Sequence, residues 1–324
     1  MHPAFSVIFL TTLIGAGQGL FLALFSSQVY TSVDLLPAQP GSYYALGAGI
    51  ALAFMIAGLV ASVFHLGRPE RAWRAATMWR TSWLSREVIA LPLTMALVFA
   101  YGLVNWLEID ADLWGWGLPG QVALTVGSAG VAATLVLFLC TGMIYAAVRF
   151  LQEWASPVTV VNYFLLGTAS GFTFAALYAA VQSAPGMIEF YAGWAIVLTL
   201  AGAFTRGTSL IRNARLKRVS TVQTAIGVRH PQVQQRSMGF MGGAYNTREY
   251  FHGRTLAFMK SVKWIFLVLV FPVPVFLLWV GLSYESTVLL ALAFGIQYVG
   301  LLFERWFFFA QANHPQNLYY QVVG

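Results

Sequence analysis

The stretch FSVIFLTTLIGAGQGLFLALFSSQ, residues 5–28, decides the fold class. It runs 24 residues without a charged side chain. A helix needs about 20 mostly apolar residues to cross the hydrocarbon core of a bilayer, so this run predicts a membrane span. No basic segment precedes it, and it is longer than the apolar run of about 7–15 residues in a signal peptide. It is therefore expected to be a retained first span.

Working outward, the same pattern recurs near 44–65, 87–106, 121–148, 158–181, 187–206, 262–282 and 286–308. The expected architecture is an all-α integral membrane protein, a bundle of about eight helices forming one membrane domain over 1–324. Turn residues punctuate it, among them Pro37, Pro40, Pro119 with Gly120, Pro157, and Pro185 with Gly186. Only the basic connector 207–261 is long enough to be more than a link. Composition agrees: 59% of the 324 residues are hydrophobic and 9% charged, against roughly 25% charged in an average soluble domain. A soluble chain so poor in charge would expose large apolar patches. Membrane lipid is thus an expected partner. The net charge of +7 reads as attraction to an anionic membrane surface, and no nucleic acid partner is expected. A single cysteine, Cys140, excludes a disulfide framework and any Cys-ligated zinc or iron–sulfur centre built from this chain alone.

The charges set the orientation. With eight spans, both termini and the connectors 66–86, 149–157 and 207–261 share one side. All 18 Lys and Arg fall on that side or at its helix ends: five from Arg68 to Arg86, Arg149, eleven from Arg206 to Lys263, and Arg305. The other side carries only acids, namely Asp34, Glu108, Asp110, Asp112, Glu189 and Glu285. The positive-inside rule then places both termini in the cytoplasm. Two small-residue pairs, Gly15 with Gly19 and Gly167 with Gly171, have the spacing of close helix contacts. With 30 glycines in the chain such pairs also arise by chance. Pro92, Pro272 and Pro274 are expected to bend the third and seventh spans.

Ionisable groups at membrane depth are costly and point to function. His2 and His314 lie at the termini, His230 and His252 in the long connector, and only His65 touches a span. Two histidines on facing helices are lacking, so no haem b is expected, and a redox role would need a partner's cofactor. The richest segment is SVFHLGRPERAWRAATMWRTSWLSREVIALP, residues 62–92. It leaves the second span at His65 and re-enters at Glu87, so both belong to one interface. An imidazole and a partly dehydrated carboxylate can handle protons together. A quinone head group wants that pair, plus an apolar slot for its tail. The plainer alternative makes His65 a helix-end residue and Glu87 the acidic start of a span. On that view Arg68, Arg71, Arg74 and Arg80 are only the topology signal. Gln18, near mid-membrane, either bonds across helices or faces a cavity. Glu304 and Arg305 form a local or interhelical ion pair. The connector turns from basic to glycine- and aromatic-rich over 237–254, which predicts docking on this protein's own face or on a subunit.

At His65–Leu66–Gly67–Arg68–Pro69, followed by Ser85–Arg86–Glu87, the chain resembles the membrane anchor subunits of dimethyl sulfoxide reductase-type enzymes, the DmsC family. HPAFSVIFLTTLIGAGQGLFLALF at 2–25 and ERWFFFAQANHPQNLYY at 304–320 extend the likeness end to end. The resemblance implies an anchor without a cofactor of its own. It implies a ferredoxin-like subunit with four iron–sulfur clusters and a molybdopterin catalytic subunit as partners. It also implies electron exchange with a quinone, menaquinone or ubiquinone. The family's quinol-site histidine and glutamate fall on His65 and Glu87, with Arg71 and Gln18 as further candidates. Sulfoxide reduction and cytoplasmic sulfite oxidation both occur with such anchors, and a cytoplasm-facing partner leans toward the second. Two other classes compete. A secondary transporter would need mid-membrane ionisable groups and matching broken helices in both halves. A passive scaffold is opposed only by the His65–Glu87 pairing.

Overall fold

The computed structural model describes residues 1–115, 120–184, 186–217, 219–234, 249–315 and 317. Pro119, Pro185 and the glycine-rich part of the long connector, 237–248, lie outside the described residues. Helices α1 (Phe5–Ser32), α2 (Gly41–Val63), α3 (Trp83–Trp106), α4 (Gln121–Ala146), α5 (Pro157–Val181) and α6 (Met187–Ala214) follow in order. A 3-10 segment, Pro69–Ala76, lies between α2 and α3. After the short α7 (Val222–Ile226) come α8 (Leu256–Val270), α9 (Pro272–Ser283) and α10 (Thr287–Ala310). Eight stretches among the described residues are long and apolar enough to cross a membrane, with α8 and α9 forming one of them, Leu256–Ser283.

Side-chain caps set several of these starts. Ser82, Ser156, Thr255 and Ser286 each accept a bond from a backbone N–H in the first turn of α3, α5, α8 and α10. The seventh span breaks as its prolines predict: Phe271, at φ −110° and ψ −78°, separates α8 from Pro272. At Pro92 the third span does not break, and α3 runs through it as one helix.

The middle of the bundle is α1 and α5, whose apolar windows are 72% and 67% buried, against 28–39% for the other six spans. Their glycines explain the close approach. Gly19 and Gly171 meet backbone to backbone, and Gly15 rests on Gly167, so the two small-residue pairs pack against each other. A Cβ on Gly171 would fall inside the backbone at Gly19 and Leu20.

The even number of crossings brings the two ends of the chain to one side, where the Met1 amine donates to Ala312 O at 2.6 Å. That side is called the terminal side below, and the other the far side. The described end of the long connector docks there: His2 N donates to Glu249 O at 2.8 Å, and Asn317 Nδ2 to Tyr250 O at 2.9 Å. Helix α6 continues eight residues past the expected span end at 206, so the connector proper begins later than its charge pattern indicates. Arg212 Nη2 and Asn213 Nδ2 then tie the end of α6 to the carbonyls of Gln152, Ala155 and Glu153.

Candidate functional site

Because Ser82 starts α3 at Trp83, Glu87 stands one turn inside the helix rather than at its first residue. Its side chain is half-buried, and its Oε1 accepts a short hydrogen bond from Thr141 Oγ1 of α4. Gln18 of α1 is buried and donates from Nε2 to Thr134 O of α4 at 3.2 Å. Both residues line one cavity near the terminal side, together with Thr141, Tyr163, Ser170 and Arg305. The space open to the centre of a water molecule is about 20 Å³. That is room for one or two waters and far too little for an aromatic ring.

Beyond the cavity lies a buried ion cluster. Arg206 Nε of α6 is 2.7 Å from Glu304 Oε1 of α10, and Arg305 Nη1 is 3.4 Å from Glu304 Oε2. The three side chains are 4% exposed or less. The Arg305 guanidinium lies 3.7 Å over the Tyr163 ring, and the Tyr145 ring stacks on Tyr163 from α4. Arg206 Nη2 and Tyr163 Oη are buried with no hydrogen-bond partner among the described residues.

His65 and Arg71 sit elsewhere. His65 follows the end of α2 by two residues and is exposed, and its ring makes no hydrogen bond among the described residues. Partial burial holds its imidazole below the usual histidine range. Arg71, in the 3-10 segment, is exposed and faces Glu70 at 3.8 Å. The fold therefore joins Glu87 and Gln18 in one cavity and leaves His65 and Arg71 on the surface loop of the same side.

Thr141, Tyr163 and Arg206 belong to this neighbourhood, and sequence patterning does not single them out. Arg206 looks like the first charge of the connector. A finer signal is present: Thr199, Gly202, Arg206 and Ser209 recur every three or four residues, a small and polar stripe that α6 turns inward.

Among the described residues, no three His, Cys, Asp or Glu gather to hold a metal. What remains is a multi-pass helical membrane bundle with a basic terminal side and a half-buried carboxylate at its edge. The chain belongs to the DMSO reductase anchor subunit (DmsC) family, which it matches over residues 1–311. It is also 59% identical over 328 residues, covering 100% of both chains, to the sulfite dehydrogenase C subunit of Allochromatium vinosum. It is thus the membrane anchor of a molybdopterin oxidoreductase complex, and catalytic and iron–sulfur partner chains go with it.

Proposed function

We propose that this anchor passes electrons between a sulfite-oxidising partner and the quinone pool, with the terminal side in the cytoplasm of a bacterial inner membrane. The direction is supported by the relative, which is by name part of a sulfite dehydrogenase. Electrons released from sulfite in the catalytic subunit would reach a quinone through a ferredoxin-like partner with four clusters. Quinone reduction takes two electrons and two protons, so this chain has to supply protons at the carbonyl oxygens and an apolar slot for the tail.

Glu87 is the observation that carries this reading. Its carboxyl is half-buried at the terminal-side end of α3, the end that faces the basic connectors. It can act as proton donor to one carbonyl, while His65, just past the end of α2 on the same side, would donate to the other. Arg71, exposed on the connecting segment, would orient the ring from there. Farther along the same pair of helices, Leu46, Leu52, Phe99, Leu103 and Trp106 line an apolar groove of about 340 Å³ between α2 and α3. An isoprenoid tail fits such a groove. Menaquinone and ubiquinone share this chemistry. The enclosed cavity behind Glu87 is too small for the ring, so the head group would bind on the membrane-facing side of that carboxyl.

The test uses the assembled complex in membranes. His65→Arg and Glu87→Gln are expected to cut sulfite-driven quinone reduction at least about ten-fold, the low side of what proton-transfer groups contribute. Sulfite oxidation with a soluble artificial acceptor should stay intact. Binding of a hydroxyquinoline N-oxide should weaken in parallel. Unchanged quinone turnover and inhibitor binding in both variants would reduce the chain to a scaffold.

A further inference from the structure

The buried charges at the terminal side do not balance by themselves. Arg206 and Arg305 flank one carboxylate, Glu304, and all three are withdrawn from solvent. One positive charge is left over in a medium where an uncompensated charge is costly. Arg305 also forms part of the wall of the water-sized cavity, and among the described residues Glu87 is the one carboxylate lining it. Tyr163 lines the cavity too, its ring beneath the Arg305 guanidinium and its Oη without a hydrogen-bond partner among the described residues. A cavity of this size, with several polar side chains and an unsatisfied hydroxyl in an otherwise apolar wall, is a site for ordered water.

We propose that this cavity is a proton-loading site, in which ordered water joins Glu87 to Tyr163 Oη and Arg305, with Glu87 as the counter-charge of the arginine cluster. With Glu87 ionised, Arg206, Arg305, Glu304 and Glu87 sum to zero. Uptake of one proton by the Glu87 carboxylate leaves the group at +1, and no electron moves in that step. The surplus charge favours release of the proton again. Since Glu87 is only partly buried, it can receive the proton from the cavity and give it up on its membrane-facing side. Arg305 is then a positioning residue: it acts through Glu87. That a quinone takes the proton rests on the function proposed above; the counter-charge assignment does not.

Other groups around Glu87 leave this assignment in place. Helix α4 presents Cys140, Thr141 and Tyr145, and of these Thr141 donates to Glu87 Oε1. Its neighbour Arg86 is engaged with the carbonyls of Trp79 and Arg80 and stacks on Trp83. The polar side chains that helix α1 brings to the cavity, Thr11, Thr12 and Gln18, are all neutral. The terminal-side half of α2, residues 52–63, has no ionisable side chain. Glu70, Arg71 and Arg74 of the 3-10 segment are solvent-exposed.

An infrared titration of the whole complex in lipid nanodiscs tests the proposal. The Glu87 carboxyl band is identified as the one missing in Glu87→Gln. Arg305→Gln should raise the protonated fraction of Glu87 at neutral pH at least ten-fold, and Arg305→Lys should restore it. An unchanged titration in Arg305→Gln, or no titrating band that depends on Glu87, overturns the counter-charge. Tyr163→Phe, which keeps the ring under Arg305, should shift the frequency of the Glu87 carbonyl band; an unshifted band overturns the water link. This second variant decides the matter if Arg305→Gln does not assemble. Quinone turnover is read on the same samples, so full turnover in Glu87→Gln with the expected infrared result counts against the quinone reading alone.

Discussion

Two polar regions lie inside this bundle, one toward each membrane face, and they are built on opposite rules. On the far side, neutral groups close their bonds among themselves. Tyr101 Oη donates to Gln28 Oε1 at 2.5 Å, and Gln28 Nε2 donates to Asn105 Oδ1 at 2.7 Å. Ser27 and Tyr191 share a bond at 2.6 Å, and Tyr178 Oη donates to Tyr43 O at 2.6 Å. None of these atoms is buried without a partner. The terminal side, by contrast, holds three buried charges, a water-sized cavity and several unsatisfied polar atoms. Satisfied buried networks rigidify a fold, whereas incomplete ones mark a place where something else binds or moves. The far-side network is therefore structural, and the terminal-side cluster is the part of the bundle kept for chemistry.

The largest expected effect tests that division directly. Glu304→Gln removes the only anion between Arg206 and Arg305, and breaking a buried pair this way costs about 3–5 kcal/mol. Thermal unfolding of the detergent-solubilised complex should show a larger loss than any other single substitution in the bundle's polar regions. Replacing Arg206, Glu304 and Arg305 together with leucine or methionine should be neutral or stabilising, by as much as about 4 kcal/mol. A triple variant as unstable as Glu304→Gln would make the cluster structural, and the contrast between the two faces would disappear.

Next in size is the crossing that separates the two regions. Gly171→Ala puts a Cβ into the backbone of α1 at Gly19 and Leu20, where no side chain can rotate away. Overpacking of this kind costs roughly 1–3 kcal/mol or more. Both networks span helices that meet at this crossing, so the midpoint of unfolding should fall for the whole bundle. Gly49→Ala, where a Cβ would meet nothing within 4 Å, is the control and should leave that midpoint in place. A smaller loss is expected from Tyr101→Phe, which leaves the partly buried Gln28 Oε1 without its donor, at about 1–2 kcal/mol. Quinone-linked turnover should be unaffected, and a fall in turnover without a fall in stability would extend function to the far side.

How much of this is legible in the sequence follows from the physics of each feature. Span count and the sorting of charge to one side are readable because both are long-range regularities of composition. The break at Phe271 is readable because Pro272 lacks an N–H. Gly15, Gly19, Gly167 and Gly171 stand out as two motifs, but nothing in one dimension says that they face each other. The cavity is less accessible still. Gln18, Glu87, Thr141, Tyr163 and Arg305 come from five helices, and their convergence depends on rotation angles that a near-uniform apolar pattern does not encode. Arg206 reads as the first charge of the connector because Arg212, Arg215 and Lys217 follow it, while in space it is buried against Glu304 of another helix. His65 and Glu87 read as one interface, and the fold puts them on one side but gives only Glu87 a place in the cavity.

The smallest expected effect sharpens the contrast at its outer edge, where the connector docks on the terminal side. His252 lies in the docked segment, half-buried, with its ring 6.4 Å from Trp306. Burial first, and then neighbouring positive charges including His2 and Arg254, hold its imidazole down to about 4 from an ordinary 6.5. The native ring is therefore neutral through the physiological range, and its Nδ1 accepts the Arg254 N–H at 3.1 Å. A proton on that nitrogen would end the bond. Between pH 6.5 and about 4 the undocked segment binds more protons than the docked one, so docking is at full strength above that window and weakens as pH falls through it. Solvent screening of a half-exposed ring keeps the loss below about 1 kcal/mol. Hydrogen exchange of residues 249–254, corrected for the intrinsic pH dependence of exchange, should show protection falling from pH 7 to pH 5. The far-side helix ends should hold theirs, and His252→Asn should remove the pH dependence at 249–254. Equal losses on both faces would mean that acid loosens the bundle as a whole, and the terminal side would then have no special sensitivity to charge.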